Sequence, residues 1–242
     1  MKLYVYCLAE GVDVLEQPTL GISGAPVRVL KSENLSVLVS ELNEDSVPVT
    51  RDNALAHAAV VRSVLDHATP LPFRFGTIVT EDQLRSYLST HKSSLEKKVD
   101  SLRGCVEMSV KIIWENSDEK QVEAQDRTEA TAEGVGTSFL AEKRRQIIGD
   151  EHRAAKATEI STWLHENLGG LIREEQVTIR PTERLVLAAA HLIDRDKITQ
   201  YREKAAETCQ NRPELHFLLS GPWPPYSFAN IELEFLTQFG VT

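Results

Sequence analysis

Alternating hydrophobic and polar positions predict a β-sheet in the N-terminal part of the chain. In the first alternating segment we expect Leu3, Val5 and Cys7 to share one face of a strand. A period of two with one mostly polar face is typical of an antiparallel sheet that is covered on one side only. The alternating segments are residues 3–8, 35–40 and 106–114. Residues 27–30 are followed by the short polar stretch 31–34 and then by the alternating segment 35–40, so we predict a β-hairpin there.

Apolar residues at helical spacing predict the cover of this sheet. Residues 51–67 carry an apolar stripe that includes Leu55, Ala58 and Ala59, with Thr50 or Asp52 as the N-cap. Residues 81–102 carry a second stripe. A weaker stretch at 89–94 predicts a break in that helix. Residues 1–114 are therefore predicted to form an α+β domain of about five strands and two or three helices.

The second half predicts another α+β domain, residues 115–242. Its start, 115–131, is polar and is interpreted as a linker or a solvated helix start. A long helix is predicted at about 136–168, and its centre lacks a broad apolar stripe, so we expect it to project past the core or to bridge domains. A β-α-β unit is predicted at about 184–220, beginning with an almost entirely apolar strand.

The segment Gly221–Phe228 reads Gly-Pro-Trp-Pro-Pro-Tyr-Ser-Phe and is the most constrained part of the chain. Its prolines fix φ and remove backbone donors, so we expect extended backbone, neither helix nor the middle of a sheet. Its aromatic side chains favour burial. We interpret 221–242 as a strap over the protein's own surface, with contact to a partner as the alternative. The strap residues are Pro222, Trp223, Pro224, Pro225, Tyr226 and Phe228.

Composition limits the possible partners and the compartment. The net charge of −9 argues against nucleic acid and against anionic membrane surfaces. The first eight residues are too short and too alternating for a signal peptide, and no apolar run approaches the ~20 residues that span a bilayer. Three widely separated cysteines suit reduced thiols. We therefore expect a cytoplasmic protein that does not enter a membrane.

Residues with the spacing of a catalytic, metal or cofactor site are not evident. The seven histidines form no metal-binding motif, and the phosphate-loop, dinucleotide and nucleophile-elbow patterns are missing. We predict no catalytic residues, no metal and no cofactor. The segment Pro70–Thr77 reads Pro-Leu-Pro-Phe-Arg-Phe-Gly-Thr, and it predicts a short edge strand with Phe73 and Phe75 on one face and Arg74 on the other. Arg74 is either a solvated residue or part of a partner-binding or anion-binding surface.

These two unusual segments carry a resemblance to a known family. Pro70–Thr77 and Gly221–Phe228, together with Leu3-Tyr4-Val5-Tyr6 at the start, resemble the gas vesicle GvpF/GvpL family. Order and spacing agree over essentially the whole chain, and residues 115–180 are the least diagnostic. Met108 stands where the family usually has a bulky residue such as tryptophan.

The resemblance implies a fold and a function. The implied fold is two α+β domains, the first a modified ferredoxin-like domain and the second with a long helix. The implied role is non-enzymatic work in gas vesicle assembly, in the cytoplasm of buoyant prokaryotes. Such a protein would be a minor vesicle component that binds the hydrophobic shell protein GvpA, prevents its aggregation like a chaperone and aids nucleation of the shell. On this hypothesis the strand edge with Phe73, Arg74 and Phe75 is the candidate surface for the shell subunit.

Two alternatives remain open from the sequence. The first is an enzyme or a small-molecule-binding protein on a ferredoxin-like scaffold, since a fold alone does not decide function. A deep pocket with converging polar groups would favour it. The second is a scaffold that binds other gas vesicle accessory proteins instead of the shell subunit.

Overall fold

A computed structural model describes five stretches of the chain, residues 1–13, 19–114, 154–179, 185–229 and 231. The chain divides into two compact units. The first unit contains Met1–Glu107 and Pro222–Thr242, and the second contains Met108–Gly221. The predicted linker at 115–131 and the first part of the predicted long helix lie outside the described residues.

The first unit is built on an antiparallel sheet. Its strands are β1 (Lys2–Glu10), β2 (Val27–Ser32), β3 (Leu35–Leu42), β4 (Leu71–Pro72) and β5 (Ile78–Thr80). Their order is β2-β3-β1-β4, and β5 pairs with β1 as well. The predicted hairpin is confirmed, because β2 and β3 pair from Val27↔Ser40 to Ser32↔Leu35. Its turn contains Glu33 with φ of +54°.

Three helices follow the predicted pattern in the first unit. They are α1 (Arg51–Leu65), α2 (Glu81–Thr90) and α3 (Lys92–Leu102). Thr50 caps α1, since its Oγ1 accepts a hydrogen bond of 3.2 Å from the Asn53 amide. Thr80 and Gln83 form a capping box at the start of α2. The predicted break between two helices is confirmed at His91.

The prediction of a sheet with one solvated face is wrong for β1 and β3. Every residue from Leu3 to Ala9 is buried, as are Ser36 and Ser40 in β3. Ser40 can be buried because its hydroxyl group accepts from the Tyr6 hydroxyl at 3.0 Å and donates to the Pro26 carbonyl at 3.0 Å. The polar residue Ser40 therefore marks an internal hydrogen-bonding site and not a solvated face.

A β-bulge changes which side chains of β1 share a face. The register of β1 against β3 shifts between Val5 and Cys7. As a result Cys7 joins Tyr4 and Tyr6 in one hydrophobic cluster, and the prediction that Cys7 lies with Leu3 and Val5 is wrong. One extra residue in one strand reverses the alternation beyond it, and a period-two pattern cannot show this.

Helix α1 has two apolar stripes, and the sheet covers one of them. The buried stripe is His57, Val60, Val61, Val64 and Leu65. Leu55, Ala58 and Ala59, which the helical pattern assigned to the core, are exposed. The larger valine, leucine and histidine side chains of α1 fill the core, because burying them removes more apolar area from water. Burying the small side chains of Ala58 and Ala59 would remove little apolar area, so there is less free energy to gain from covering them. Three apolar residues of α1, Leu55, Ala58 and Ala59, are therefore left at the surface.

A separate second sheet lies mostly in the second unit. Its strands are β6 (Cys105–Trp114), β7 (Ile172–Thr178), β8 (Leu185–Asp194) and β9 (Leu215–Trp223), in the order β7-β8-β6-β9. The predicted apolar strand is confirmed as β8. Strand β6 was predicted in the first sheet, but it lies between β8 and β9. The local sequence of a strand does not show which strand it pairs with. The prediction therefore placed β6 in the same sheet as the preceding strand β5, and this was wrong.

Two helices of the second unit fall in the described residues. Helix α4 covers residues 154–168, which belong to the predicted long helix, and α5 is Ile198–Gln210. Within the described residues, the helices fall short of the length and apolar content needed to cross a bilayer.

The C-terminal segment departs from its prediction. Strand β9 continues through Gly221 and Pro222 to Trp223, and a short helix α6 (Tyr226–Ala229) follows. The expectation of no helix is therefore wrong for Tyr226 to Phe228. Pro224 and Pro225 lie at the helix start, where a missing amide costs nothing, and the Ala229 amide donates to the Pro225 carbonyl at 2.9 Å.

The compact units and the predicted domains divide the chain differently. Residues 222–242 group with the first unit, whereas the sequence placed them in the second domain. Phe228, which is fully buried, belongs to this returning segment. The domain boundary at 114 and 115 stays a prediction.

Candidate partner-binding site

The predicted site segment forms a loop between two short strands. Strands β4 and β5 both pair with β1, and residues 73–77 connect them. The Phe73 amide donates to the Tyr6 carbonyl at 2.9 Å, and the Val5 amide donates to the Thr77 carbonyl at 3.0 Å. Both ends of the loop are therefore fixed to β1.

The interior of the loop is closed by a turn. The Thr77 amide and hydroxyl groups both donate to the Arg74 carbonyl, at 3.1 and 2.8 Å. Gly76 has φ of +89°, which a residue with a side chain rarely adopts, and this conformation lets the chain reverse. The predicted strand through Phe73 and Phe75 is thus limited to Leu71–Pro72, and the turn replaces the rest of it.

A buried tyrosine and a buried histidine hold the loop from below. The Gly76 amide donates to the Tyr4 hydroxyl at 3.1 Å, and that hydroxyl lies 2.9 Å from Nδ1 of His57 in α1. The Phe75 ring packs edge-on against both rings, with centroids 6.2 Å from Tyr4 and 5.9 Å from His57. These contacts join the sheet, the helix and the loop into one aromatic cluster.

Burial sets the protonation of this cluster. Burial lowers the pKa of His57 to about 4, and the backbone of Phe73 opposes that shift only in part. Burial likewise raises the pKa of Tyr4 to about 12. At neutral pH His57 is therefore uncharged, so its Nδ1 can accept a hydrogen bond from the Tyr4 hydroxyl. The cluster needs no charge to hold the loop.

The three predicted site residues have different environments. Phe73 is buried and Phe75 is half-buried, so both anchor the loop. Arg74 is exposed, and no ion pair to it occurs within the described residues. The structure therefore leaves Arg74 as the member of the predicted set whose side chain is available to a partner.

The six predicted strap residues lie within the first unit. Phe228, Pro224 and Pro225 are buried, while Trp223 and Tyr226 are 39% and 43% exposed. Helix α6 packs beside β4. Five of the six residues thus divide into buried anchors and exposed aromatics, and Pro222 is half-buried. The choice between an internal strap and partner contact stays a prediction.

Polar contacts that the sequence did not reveal hold this segment. The Glu107 carboxylate accepts from the amide and the hydroxyl of Ser227, at 2.8 and 2.9 Å. Burial raises the pKa of Glu107, and the two Ser227 hydrogen bonds oppose the shift. The Tyr87 hydroxyl donates to the Ile231 carbonyl at 3.3 Å. Glu107 and Ser227 are 120 positions apart, so no local motif could have joined them.

A second polar network lies in the second unit. His191 is fully buried, with Nδ1 at 2.7 Å from the Tyr201 hydroxyl and Nε2 at 3.0 Å from the Glu175 carboxylate. The other Glu175 oxygen lies 2.8 Å from Nδ1 of the exposed His165. Burial lowers the pKa of His191, and the charge of Glu175 opposes this. Every polar atom of the buried ring is engaged, which is the arrangement of a structural network.

The surface also has a cavity of about 240 Å³ in the first unit. Its lining residues are Glu10, Asn34, Leu35, Glu96, Val99, Asp100 and Arg103. Arg103 binds both Glu10 and Asp100, so the charged groups of the cavity are largely paired with each other. Among the described residues, groups of three or more histidine, cysteine, aspartate or glutamate arranged to hold a metal ion are absent.

Comparison with known proteins gives one consistent result. The family model described as gas vesicle synthesis protein GvpL/GvpF matches residues 2–230. Gas vesicle protein L2 of Halobacterium salinarum is 28% identical, with 93% of this chain and 90% of that protein covered. Gas vesicle protein L of a Streptomyces species is 29% identical, with 96% and 94% covered.

Solved structures share the fold. The crystal structure of gas vesicle protein GvpF from an Anabaena species superposes with a TM-score of 0.78 at 22% identity, covering 95% of this chain and 98% of the other. The crystal structure of GvpF from Microcystis aeruginosa gives a TM-score of 0.75 at 20% identity, with 95% and 99% covered. The α+β fold with two antiparallel sheets is therefore the fold of these structures.

Proposed function

Because the chain belongs to the gas vesicle GvpL/GvpF family, and so has a role in gas vesicle formation, we propose that it binds the hydrophobic shell subunit during assembly. In this proposal it is a minor vesicle component that binds the shell protein GvpA, keeps it from aggregating and helps to nucleate the shell. The role is structural and needs no catalysis. It is performed in the cytoplasm and at the gas vesicle.

The observation that supports a shell-binding site is that Arg74 is exposed on a loop whose other residues are held by hydrogen bonds and packing. The loop is fixed at both ends to β1 and from below by Tyr4 and His57. A loop that is already ordered loses little conformational freedom when a partner binds. Arginine is also among the residues that contribute most to protein interfaces. Arg74 is therefore the centre of the proposed shell-binding surface, with the half-buried Phe75 beside it.

The contact is proposed at the loop and not by extension of the sheet. Strand β4 ends the strand order on the side of the loop, and an added strand beside the loop would pair with β4. Helix α6 packs beside β4, so a partner strand would have to displace the protein's own C-terminal segment. The exposed loop needs no such displacement.

Co-expression with the shell protein tests the proposal. We expect the wild type to keep GvpA in the soluble fraction and to co-purify with it, and we expect Arg74→Glu to reduce the co-purified amount at least tenfold. Lys97→Glu is the matched control, since Lys97 is also exposed, also lacks an ion pair among the described residues, and undergoes the same change of charge.

The outcomes separate the function from the site. A folded wild type that neither solubilises nor retains GvpA contradicts the shell-binding function. Normal binding by Arg74→Glu contradicts the site alone. Selective capture of another gas vesicle accessory protein, without GvpA, would favour the scaffold role instead.

A further inference from the structure

The exposed face of α1 has a symmetric arrangement of apolar and charged residues. It is formed by Arg51, Leu55, Ala58, Ala59, Arg62 and, at the C-cap, Asp66, all of which are exposed. Their spacings of three and four place them on one side of the helix. Leu55 is 57% exposed and is the largest apolar side chain of this face.

The symmetry becomes clear when two such helices are placed antiparallel. If the midpoint lies between Ala58 and Ala59, each residue faces the one equally far on the other side of that midpoint. Ala58 then faces Ala59 of the second copy, Leu55 faces Arg62, and Arg51 faces Asp66. Small residues fall at the centre, where backbones approach most closely, and opposite charges fall at both ends.

The charges at the two ends are available for such a contact. Within the described residues, Arg51 and Asp66 take part in no ion pair, although other arginines of the first unit do. Arg28, Arg85 and Arg103 each bind a carboxylate of their own unit. Unpaired opposite charges at matching distances from the midpoint are what an antiparallel self-contact requires.

We propose that this face of α1 binds the same face of a second copy of the chain in a two-fold symmetric dimer. A two-fold contact uses one surface patch twice, so the patch must be self-complementary, as this one is. Trp223 extends the patch, because its ring is 39% exposed and lies 5.9 Å from the Arg62 guanidinium carbon. Leu55 of the second copy would pack over Arg62 and beside this ring.

The expected association is weak and reversible. A single helix face covers less than the roughly 800 Å² per partner of a standard interface. The dimer should therefore form only at high protein concentration. Sedimentation equilibrium over a wide concentration range is the appropriate measurement.

Charge-reversed variants test the register directly. We expect Arg51→Asp alone and Asp66→Arg alone to weaken self-association about tenfold each, because like charges then face each other at both ends. An equimolar mixture of the two variants should associate as well as the wild type. In the mixed dimer the two introduced side chains, an aspartate and an arginine, face each other at one end, and the native Asp66 faces the native Arg51 at the other. The double variant should also recover.

Loss of folding does not explain such a result. An acidic residue at the start of α1 and a basic residue at its end both suit the helix dipole, so neither variant should destabilise the helix. A wild type that stays monomeric up to about 1 mM overturns the proposal. A wild-type dimer that both single variants leave intact, or a mixture that fails to recover, overturns it as well.

Discussion

In each unit of the molecule a buried histidine lies against a tyrosine hydroxyl, and the two sites differ in charge. In the first unit Nδ1 of His57 lies 2.9 Å from the Tyr4 hydroxyl, and in the second Nδ1 of His191 lies 2.7 Å from the Tyr201 hydroxyl. The other nitrogen of His191 meets the Glu175 carboxylate at 3.0 Å. Among the described residues, no carboxylate is hydrogen-bonded to His57.

The difference shows two ways to bury a titratable ring. His57 is kept neutral by burial, so the loop it holds depends on packing and neutral hydrogen bonds. His191 lies in a chain of hydrogen bonds that runs through Glu175 to the exposed His165. A site that includes a carboxylate loses more when its central member is removed, because a charge is left without its partner.

Replacement of each histidine by leucine should give the largest difference. We expect His191→Leu to lower the free energy of unfolding by about 3 kcal/mol, because the Tyr201 hydroxyl and Glu175 both lose a partner. His57→Leu should cost about 1 to 2 kcal/mol, because the Tyr4 hydroxyl keeps its bond from the Gly76 amide. Hydrogen exchange of β8 and of β1 would report the two units separately.

The two losses of stability could also occur in the reverse order, and this would contradict the assigned roles of the two histidines. A larger loss for His57→Leu would mean that the aromatic packing with Phe75 outweighs the charged network. Equal losses would mean that Glu175 finds another partner, for which its second contact with His165 is the available route.

Acid should affect the first unit through His57. Its pKa is about 4 in the folded protein and near 6.5 in an unfolded chain, so the unfolded state binds the proton first. The stability that the folded state has through neutral His57 is fully present above the pKa of the unfolded chain. It is lost as the pH falls from about 6.5 toward 4, because the unfolded state then binds a proton that folded His57 does not. Between pH 7 and pH 5 we expect roughly 2 kcal/mol to be lost.

The His57→Leu variant is the control for the acid effect. It lacks the titrating group, so its hydrogen exchange in β1 should depend less steeply on pH over the same interval than that of the wild type. Parallel pH profiles for the wild type and the variant would show that other groups dominate acid sensitivity.

Removal of the Glu175 charge should have the smallest effect. Glu175→Gln keeps the capacity for hydrogen bonds, so we expect a loss of only about 1 kcal/mol. The pKa of His191 should fall further, because the carboxylate is what opposes the effect of burial. A pH titration of the His191 ring by NMR measures this directly. A pKa of His191 that rises in the variant would contradict the assigned role of Glu175.

Local features of the fold were predictable from the sequence. The cap at Thr50, the break at His91 and the apolar strand β8 each follow from a few neighbouring residues. Strand β7 was missed, because its residues alternate between half-buried and exposed positions and include Glu174 and Glu175. The bulge at Tyr6 was also missed, since one extra residue leaves the composition of a strand unchanged.

The candidate site was only partly predictable. The sequence identified the segment around Arg74, but it extended a period of two through residues that form a turn. Tyr4 and His57 are 53 positions apart, so their contact depends on how α1 packs on β1. Pairing of that kind follows from tertiary structure, and a single sequence carries no local pattern for it.

The return of the C-terminal segment to the first unit has a consequence for synthesis on the ribosome. The chain must emerge as far as Ser227 before Glu107 meets its partner, and as far as Phe228 before that part of the core is filled. Domains usually fold in order as they leave the ribosome. Here the unit that begins first can be completed only after residues 108–221 have been made. Premature termination near residue 221 would therefore leave the first unit, and not only the second, with an open core.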